Sequence, residues 1–123
     1  MSSHTDMRDP LDRSQIEFLL SLDDGEGAAL AEIVAEYLTL GDAAYAELCR
    51  LRREGDWSTF ERTAHTLKGA SANVGATGLA DVCASLELRA REAQLDDAGE
   101  LLEQFAAQFE RVRAALEVVA GRA

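Results

Sequence analysis

The sequence predicts an all-α fold: an antiparallel up-and-down four-helix bundle with a short additional N-terminal helix. Three observations carry this expectation. The chain has a single proline and is rich in Ala, Leu and Glu, a composition that favours helices. Four long stretches place apolar residues at alternating spacings of three and four, the period of one helix face. Short polar turns join these stretches, so successive helices must lie side by side in opposite directions.

Taken in order, residues 1–10 (MSSHTDMRDP) are polar and aperiodic and read as a flexible N-terminal arm that holds His4. One domain is expected over 11–121. SQIE at 14–17 has the Ser-x-x-Glu form of a capping box and predicts a short helix over about 12–21. DDGEG at 23–27 marks a turn. The next stripe, Leu30, Val34, Tyr37, Gly41, Ala44, Leu48 and Leu51, keeps its phase through Gly41. It predicts one continuous helix bent at Gly41, with a break into two helices as the alternative.

REGD at 53–56 is a turn, and STFE at 58–61 offers a second capping box for a helix over about 57–73. Gly75 and Gly78 punctuate the following turn, and Thr77 is placed to cap a helix reaching about residue 94. That helix carries Leu79, Val82 or Cys83, Leu86 and Ala90 as its apolar positions. DDAGE at 96–100 opens the last helix, whose stripe is Leu102, Phe105, Phe109, Val112, Leu116 and Val119.

Composition also sets bounds on function. A formal net charge of -11 leaves no basic surface for the phosphates of a nucleic acid and discourages anionic membranes. Cys49 and Cys83, the two cysteines, fall among apolar residues at helical spacing and read as free buried thiols. No signal peptide, long apolar run or lipidation motif is evident, so a reduced cytoplasmic setting is expected.

The segment AHTLKGASANVG, residues 64–75, holds the one histidine outside the N-terminal arm. On a helical projection Phe60, Ala64, Leu67, Ser71 and Val74 fall within roughly 40° of one direction, the core stripe. His65 lies roughly 140° from Phe60, Gly69 roughly 180° and Lys68 roughly 80°. The histidine therefore projects outward with a lysine on its flank. A glycine inside a helix costs about 1 kcal/mol relative to alanine and needs a reason. On the outward face that reason is access for a partner, with close backbone packing as the alternative. Lys68, three residues from His65, is a compact cation suited to an anion such as a phosphoryl group.

These residues resemble the histidine-containing phosphotransfer (HPt) domains of bacterial phosphorelays. That family shows Ala-His-x-Leu-Lys-Gly, then small residues, a Gly before the next helix and a Leu-Glu pair late in that helix. The counterparts here are Ala64, His65, Leu67, Lys68, Gly69, Gly75, Leu86 and Glu87. The resemblance extends loosely over nearly the whole chain. Two departures are mild: Tyr37 stands where phenylalanine is common, and Gly41 interrupts the second helix.

The resemblance implies that His65 accepts a phosphoryl group from a receiver-domain aspartate, or from a hybrid kinase, and passes it to another response-regulator receiver. Lys68 would contact the phosphoryl group and Gly69 would give the receiver access. Asn73 matches a position that is often polar in the family, and a helix C-cap is the plainer reading of it. The implied partners are receiver domains and a histidine kinase, with no nucleic acid or membrane, and the protein is expected to be a monomer. No cofactor is expected on this chain, since Mg belongs to the partner receiver.

An exposed imidazole has an ordinary pKa of about 6.5 and is mostly neutral near pH 7, so it is a nucleophile without a general base. With no acid or base expected beside it, its phosphorylated form should resist water. No Gly-rich nucleotide loop or kinase motif is present, so a relay intermediate is expected rather than an enzyme. A di-iron bundle is disfavoured because Glu61 precedes His65 by four residues instead of three and no second body histidine exists. Two other readings remain: a helical adaptor or dimerisation module with an incidental histidine, and the phosphoacceptor domain of a chemotaxis-type histidine kinase. The initiating Met and lack of a linker favour a stand-alone protein over an excised one.

Overall fold

A computed structural model describes residues 10–21, 28–94 and 96–122. Apart from Pro10, the expected N-terminal arm lies outside the described residues, as does the DDGEG turn. The described residues form five α-helices and no strand: α1 (Arg13–Ser21), α2 (Ala28–Glu54), α3 (Trp57–Asn73), α4 (Thr77–Arg91) and α5 (Ala98–Arg122). Helix α2 packs on α3 and α5, α3 on α4, and α4 on α5, which closes a ring of four long helices.

The apolar stripes read from the sequence all turn inward. Every named position on α2, α3, α4 and α5 is buried, and Val82 and Cys83 both are. Helical periodicity alone dictates this, because a 3.6-residue period keeps one face towards the ring's centre. Phe105 anchors the core, stacked on Tyr45 at 5.6 Å and on Phe109 at 5.5 Å between ring centroids.

Helix α2 is continuous through Gly41, which resolves the alternative of a break. The glycine is there for space. A Cβ at this position would lie 2.4 Å from Cε1 and Cζ of Phe109, so the ring of α5 sits directly against the α2 backbone. The tyrosine at 37 has an equally local cause. Its hydroxyl shares a buried 2.7 Å hydrogen bond with Ser71 Oγ, giving both polar groups a partner inside the core. Burial pushes the Tyr37 pKa up to about 12 against the lowering effect of that bond.

The caps differ from expectation by one or two residues. Helix α1 starts at Arg13, and Asp12 replaces Ser14 as its cap: the Asp12 carboxylate accepts from Ser14 N at 3.0 Å. Helix α3 starts at Trp57 with Asp56 as N-cap, accepting from Thr59 N at 3.2 Å, so Ser58 and Glu61 form no capping box. In both places an aspartate just upstream outcompetes the serine, since a carboxylate is the stronger acceptor for an orphan N–H. Thr77 is the first residue of α4, which starts after Ala76 without a side-chain cap.

Three helices end in the same Schellman geometry. Gly55 and Gly75 have φ of 75° and 82°, and Ala93 has φ of 56°. At the end of α4, Ala93 N bonds Ala90 O and Gln94 N bonds Arg89 O, so that helix stops at Arg91 instead of running to about 94. At the end of α3 the C-cap is Val74, not Asn73. Asn73 is the last helical residue; its carbonyl accepts from Gln15 Nε2 at 2.7 Å, and Asp12 N donates to Gly75 O. These bonds pin α1 across the end of α3.

Candidate functional site

The site is built on adjoining faces of α3 and α4. Helix α4 runs back along α3, because Glu87 meets His65 and Lys68 while Arg91, one turn later, meets Glu61. The turn that permits this needs Gly75, where φ is positive and a Cβ would crowd Asp12 O at 3.2 Å.

His65 projects outward with its side chain 65% exposed, as the helical projection requires. Lys68, one turn on, is partly buried. Gly69 lies on the same face, and a Cβ there would meet nothing within 4 Å. No neighbouring backbone approaches it, so close packing is not its reason. Asn73 is exposed, and it meets α1 through its backbone carbonyl.

The residue that organises the site is Glu87. Its side chain is only 8% exposed, and it draws both predicted residues together: Oε2 lies 2.9 Å from His65 Nδ1, and Oε1 accepts from Lys68 Nζ at 2.8 Å. Arg91 adds a third donor to Oε2 at 2.9 Å and reaches on to Glu61. Burial pushes the Glu87 pKa up, but hydrogen bonds from Lys68 and His65 outweigh it and hold the carboxyl below the ordinary glutamate range. Glu87 is therefore an ionised acceptor, and the nitrogen facing it carries the proton. In the neutral ring this fixes the tautomer: Nδ1–H donates to Glu87, and Nε2 carries the lone pair and faces away from that carboxylate.

The expectation that no acid or base stands beside the histidine is thus overturned. In the sequence Glu87 enters only as part of a family pattern, without a role. A signal is present there all the same, because Glu87 shares helical spacing with Ala80, Cys83 and Ala90. A charge inside an apolar stripe is buried on folding and must find a partner there.

Cys83, beneath this cluster, is buried, and burial pushes its pKa up to about 12 despite nearby Lys68, so the thiol is unreactive. Cys49 is also free but half-buried, more open than expected. Among the described residues no group of three His, Cys, Asp or Glu side chains is arranged to hold a metal ion. No helix among them is long and apolar enough to cross a membrane.

Comparison with known proteins places the helical fold in a family. The Hpt domain family model matches residues 28–115, which spans α2, α3, α4 and most of α5. Histidine-containing phosphotransfer protein B from Pseudomonas aeruginosa PAO1 superposes with a TM-score of 0.83 at 29% identity, covering 93% of this chain and 96% of that one. A histidine-containing phosphotransfer protein from maize superposes with a TM-score of 0.79 at 24% identity, covering 96% of this chain and 91% of that one. No curated protein matches the chain significantly in sequence. With most of its length matched and its helices superposing on a bacterial relative, the chain belongs to the Hpt domain family and is a histidine phosphotransfer protein of phosphorelays.

Proposed function

We propose that His65 is the phosphoacceptor, taking its phosphoryl group from a receiver-domain aspartate or a hybrid kinase and handing it to another response-regulator receiver. The single observation that carries this reading is the pairing of Nδ1 with Glu87, which leaves Nε2 as an oriented nucleophile on an exposed face. In-line attack on an aspartyl phosphate needs positioning and charge neutralisation more than covalent help from the protein. Lys68 supplies a cation beside the imidazole and is near enough to exchange its hold on Glu87 for the incoming phosphoryl oxygens. Gly69 leaves the approach open to the receiver's own loops.

No cofactor acts on this chain in this reading; the metal ion that assists aspartyl phosphate chemistry belongs to the receiver. The protein works as a cytoplasmic monomer and a relay intermediate, without kinase activity, without nucleic acid and without a membrane. Residues 11–121 act as one domain. Its frame is the antiparallel up-and-down four-helix bundle with α1 as an added short helix. The α2–α5 ring pairs Tyr37–Phe109 and Tyr45–Phe105 run in opposite order along the two helices, and with Tyr37–Ser71 between α2 and α3 and the α3–α4 register they support that frame.

The test is transfer from a phosphorylated receiver. Wild-type protein is expected to take up acid-labile, alkali-stable phosphate, and His65→Gln is expected to take up none. Equal labelling of the His65→Gln variant would remove His65 from the relay.

A further inference from the structure

We propose that Glu87 sets how readily the phosphoryl group leaves His65, by keeping the Nδ1 proton on the phosphorylated ring. The inference rests on His65 as the phosphoacceptor and assigns to a residue of α4 control over the lifetime of the phosphorylated state.

The argument follows the electrons. When Nε2 attacks an aspartyl phosphate, its lone pair forms the N–P bond. The P–O bond to the aspartate breaks, and its pair returns to the aspartate carboxylate. The proton already on Nδ1 has nowhere better to go. It stays in the 2.9 Å hydrogen bond to Glu87 Oε2, and the product is a phosphoimidazolium facing a carboxylate. In the next transfer the N–P pair returns to Nε2, the phosphoryl group bonds to the new aspartate oxygen, and a neutral imidazole with Nδ1–H is left. No proton moves in either direction. If Nδ1 loses its proton to solvent, the leaving group becomes an imidazolate, which departs far more slowly. A buried carboxylate that stabilises the imidazolium holds the ring in its reactive form, the role an aspartate plays towards the histidine of a serine protease triad.

The surroundings limit the effect without removing it. Charged groups facing Glu87 among the described residues are His65 and Lys68 from α3 and Arg91 from its own helix, with Glu61 of α3 behind Arg91. Helix α5, packed on α4, and helix α2, packed on α3, place no charged side chain in an ion pair with either Glu87 or His65 among those residues. Lys68 and Arg91 share the carboxylate, so the ring sees a partly compensated anion. Oε2 still points at Nδ1, and Glu87 has little water around it to screen the interaction.

The experiment uses phosphoramidate, a small donor that phosphorylates imidazoles without a receiver. The full chain is labelled, the donor removed, and loss of phosphate from His65 followed by peptide mass mapping between pH 5 and pH 10. Glu87→Gln removes the charge and keeps one oxygen able to accept from Nδ1–H, at the cost of the acceptor for Lys68; labelling of His65 itself confirms that Nε2 stays free in the variant. The rate of phosphate loss is expected to fall off at a pH at least one unit lower in Glu87→Gln, about tenfold slower loss near pH 8. Superposable rate profiles for the two proteins would overturn the proposal.

If Glu87→Gln does not fold, the wild type is compared with free phosphohistidine; coincident profiles would likewise overturn it. A folded wild type that takes no phosphate on His65 from phosphoramidate contradicts a free Nε2 and counts against it. Failure of the parent reading looks different: phosphoramidate labels His65 with the expected pH profile, yet phosphorylated receivers never do.

Discussion

Gly41→Ala and Gly69→Ala are the same chemical change in the interior of two helices, and they are expected to move stability in opposite directions. At an unobstructed helical site, alanine gains about 0.5–1 kcal/mol over glycine because the unfolded chain has less freedom to lose. Gly69 is such a site, since its new Cβ meets nothing within 4 Å. At Gly41 the new Cβ falls 2.4 Å from two carbons of the Phe109 ring. That ring cannot swing aside cheaply. It is 3% exposed, stacked on Phe105 at 5.5 Å, tilted against Tyr37 at 5.9 Å and covered by the Arg113 guanidinium at 5.1 Å. Overpacking of this kind costs about 1–3 kcal/mol. Set against the propensity gain, Gly41→Ala should lose about 1–2 kcal/mol while Gly69→Ala gains up to about 1 kcal/mol.

Urea unfolding followed by circular dichroism measures both, read as a shift of midpoint at constant slope. A double-mutant cycle adds the cause: in a Phe109→Leu background, the cost of Gly41→Ala should shrink or reverse. A Gly41→Ala protein as stable as wild type would refute the packing argument, and an unchanged cost in the Phe109→Leu background would show that the ring is not the obstacle.

Ala93→Gly should stabilise by about 0.5–1 kcal/mol, because it removes the cost of a left-handed alanine from the Schellman end of α4 while loosening the unfolded chain; a melting temperature that stays put or falls refutes this. Tyr37→Phe should lose about 0.5–1.5 kcal/mol by leaving Ser71 Oγ without its buried partner, measured by the same urea titration. Stability should also fall in acid. The carboxyls of Glu87, Asp56 and Asp97 titrate below their ordinary values in the folded protein, so the unfolded chain binds more protons as pH drops. Their contribution is complete above the unfolded values of 4.5 for Glu87 and 3.8 for the aspartates, and it is lost as pH falls through the lower folded values. Urea midpoints that stay flat from pH 6 down to pH 2 would contradict it.

Local periodicity settles much of this protein. The stripes from Leu30 to Leu51 and from Leu102 to Val119 are buried as spaced, because which face a residue occupies depends only on the helical repeat. The same geometry sends His65 and Gly69 outward. Helix ends are less legible: Asp12 and Asp56 each stand two residues before the serine of an apparent capping box, and nothing in the local pattern says which acceptor wins. What lies beyond the sequence are relations between helices. Glu87 is 22 positions from His65, and its hold on Nδ1 and Lys68 depends on the register in which α4 returns along α3. Gly41 reads as an interruption of its helix until the ring of Phe109 is seen seated on it. A repeat within one helix is fixed by backbone geometry, whereas the offset between two packed helices is fixed only when their side chains interlock, and that offset gives the histidine its carboxylate.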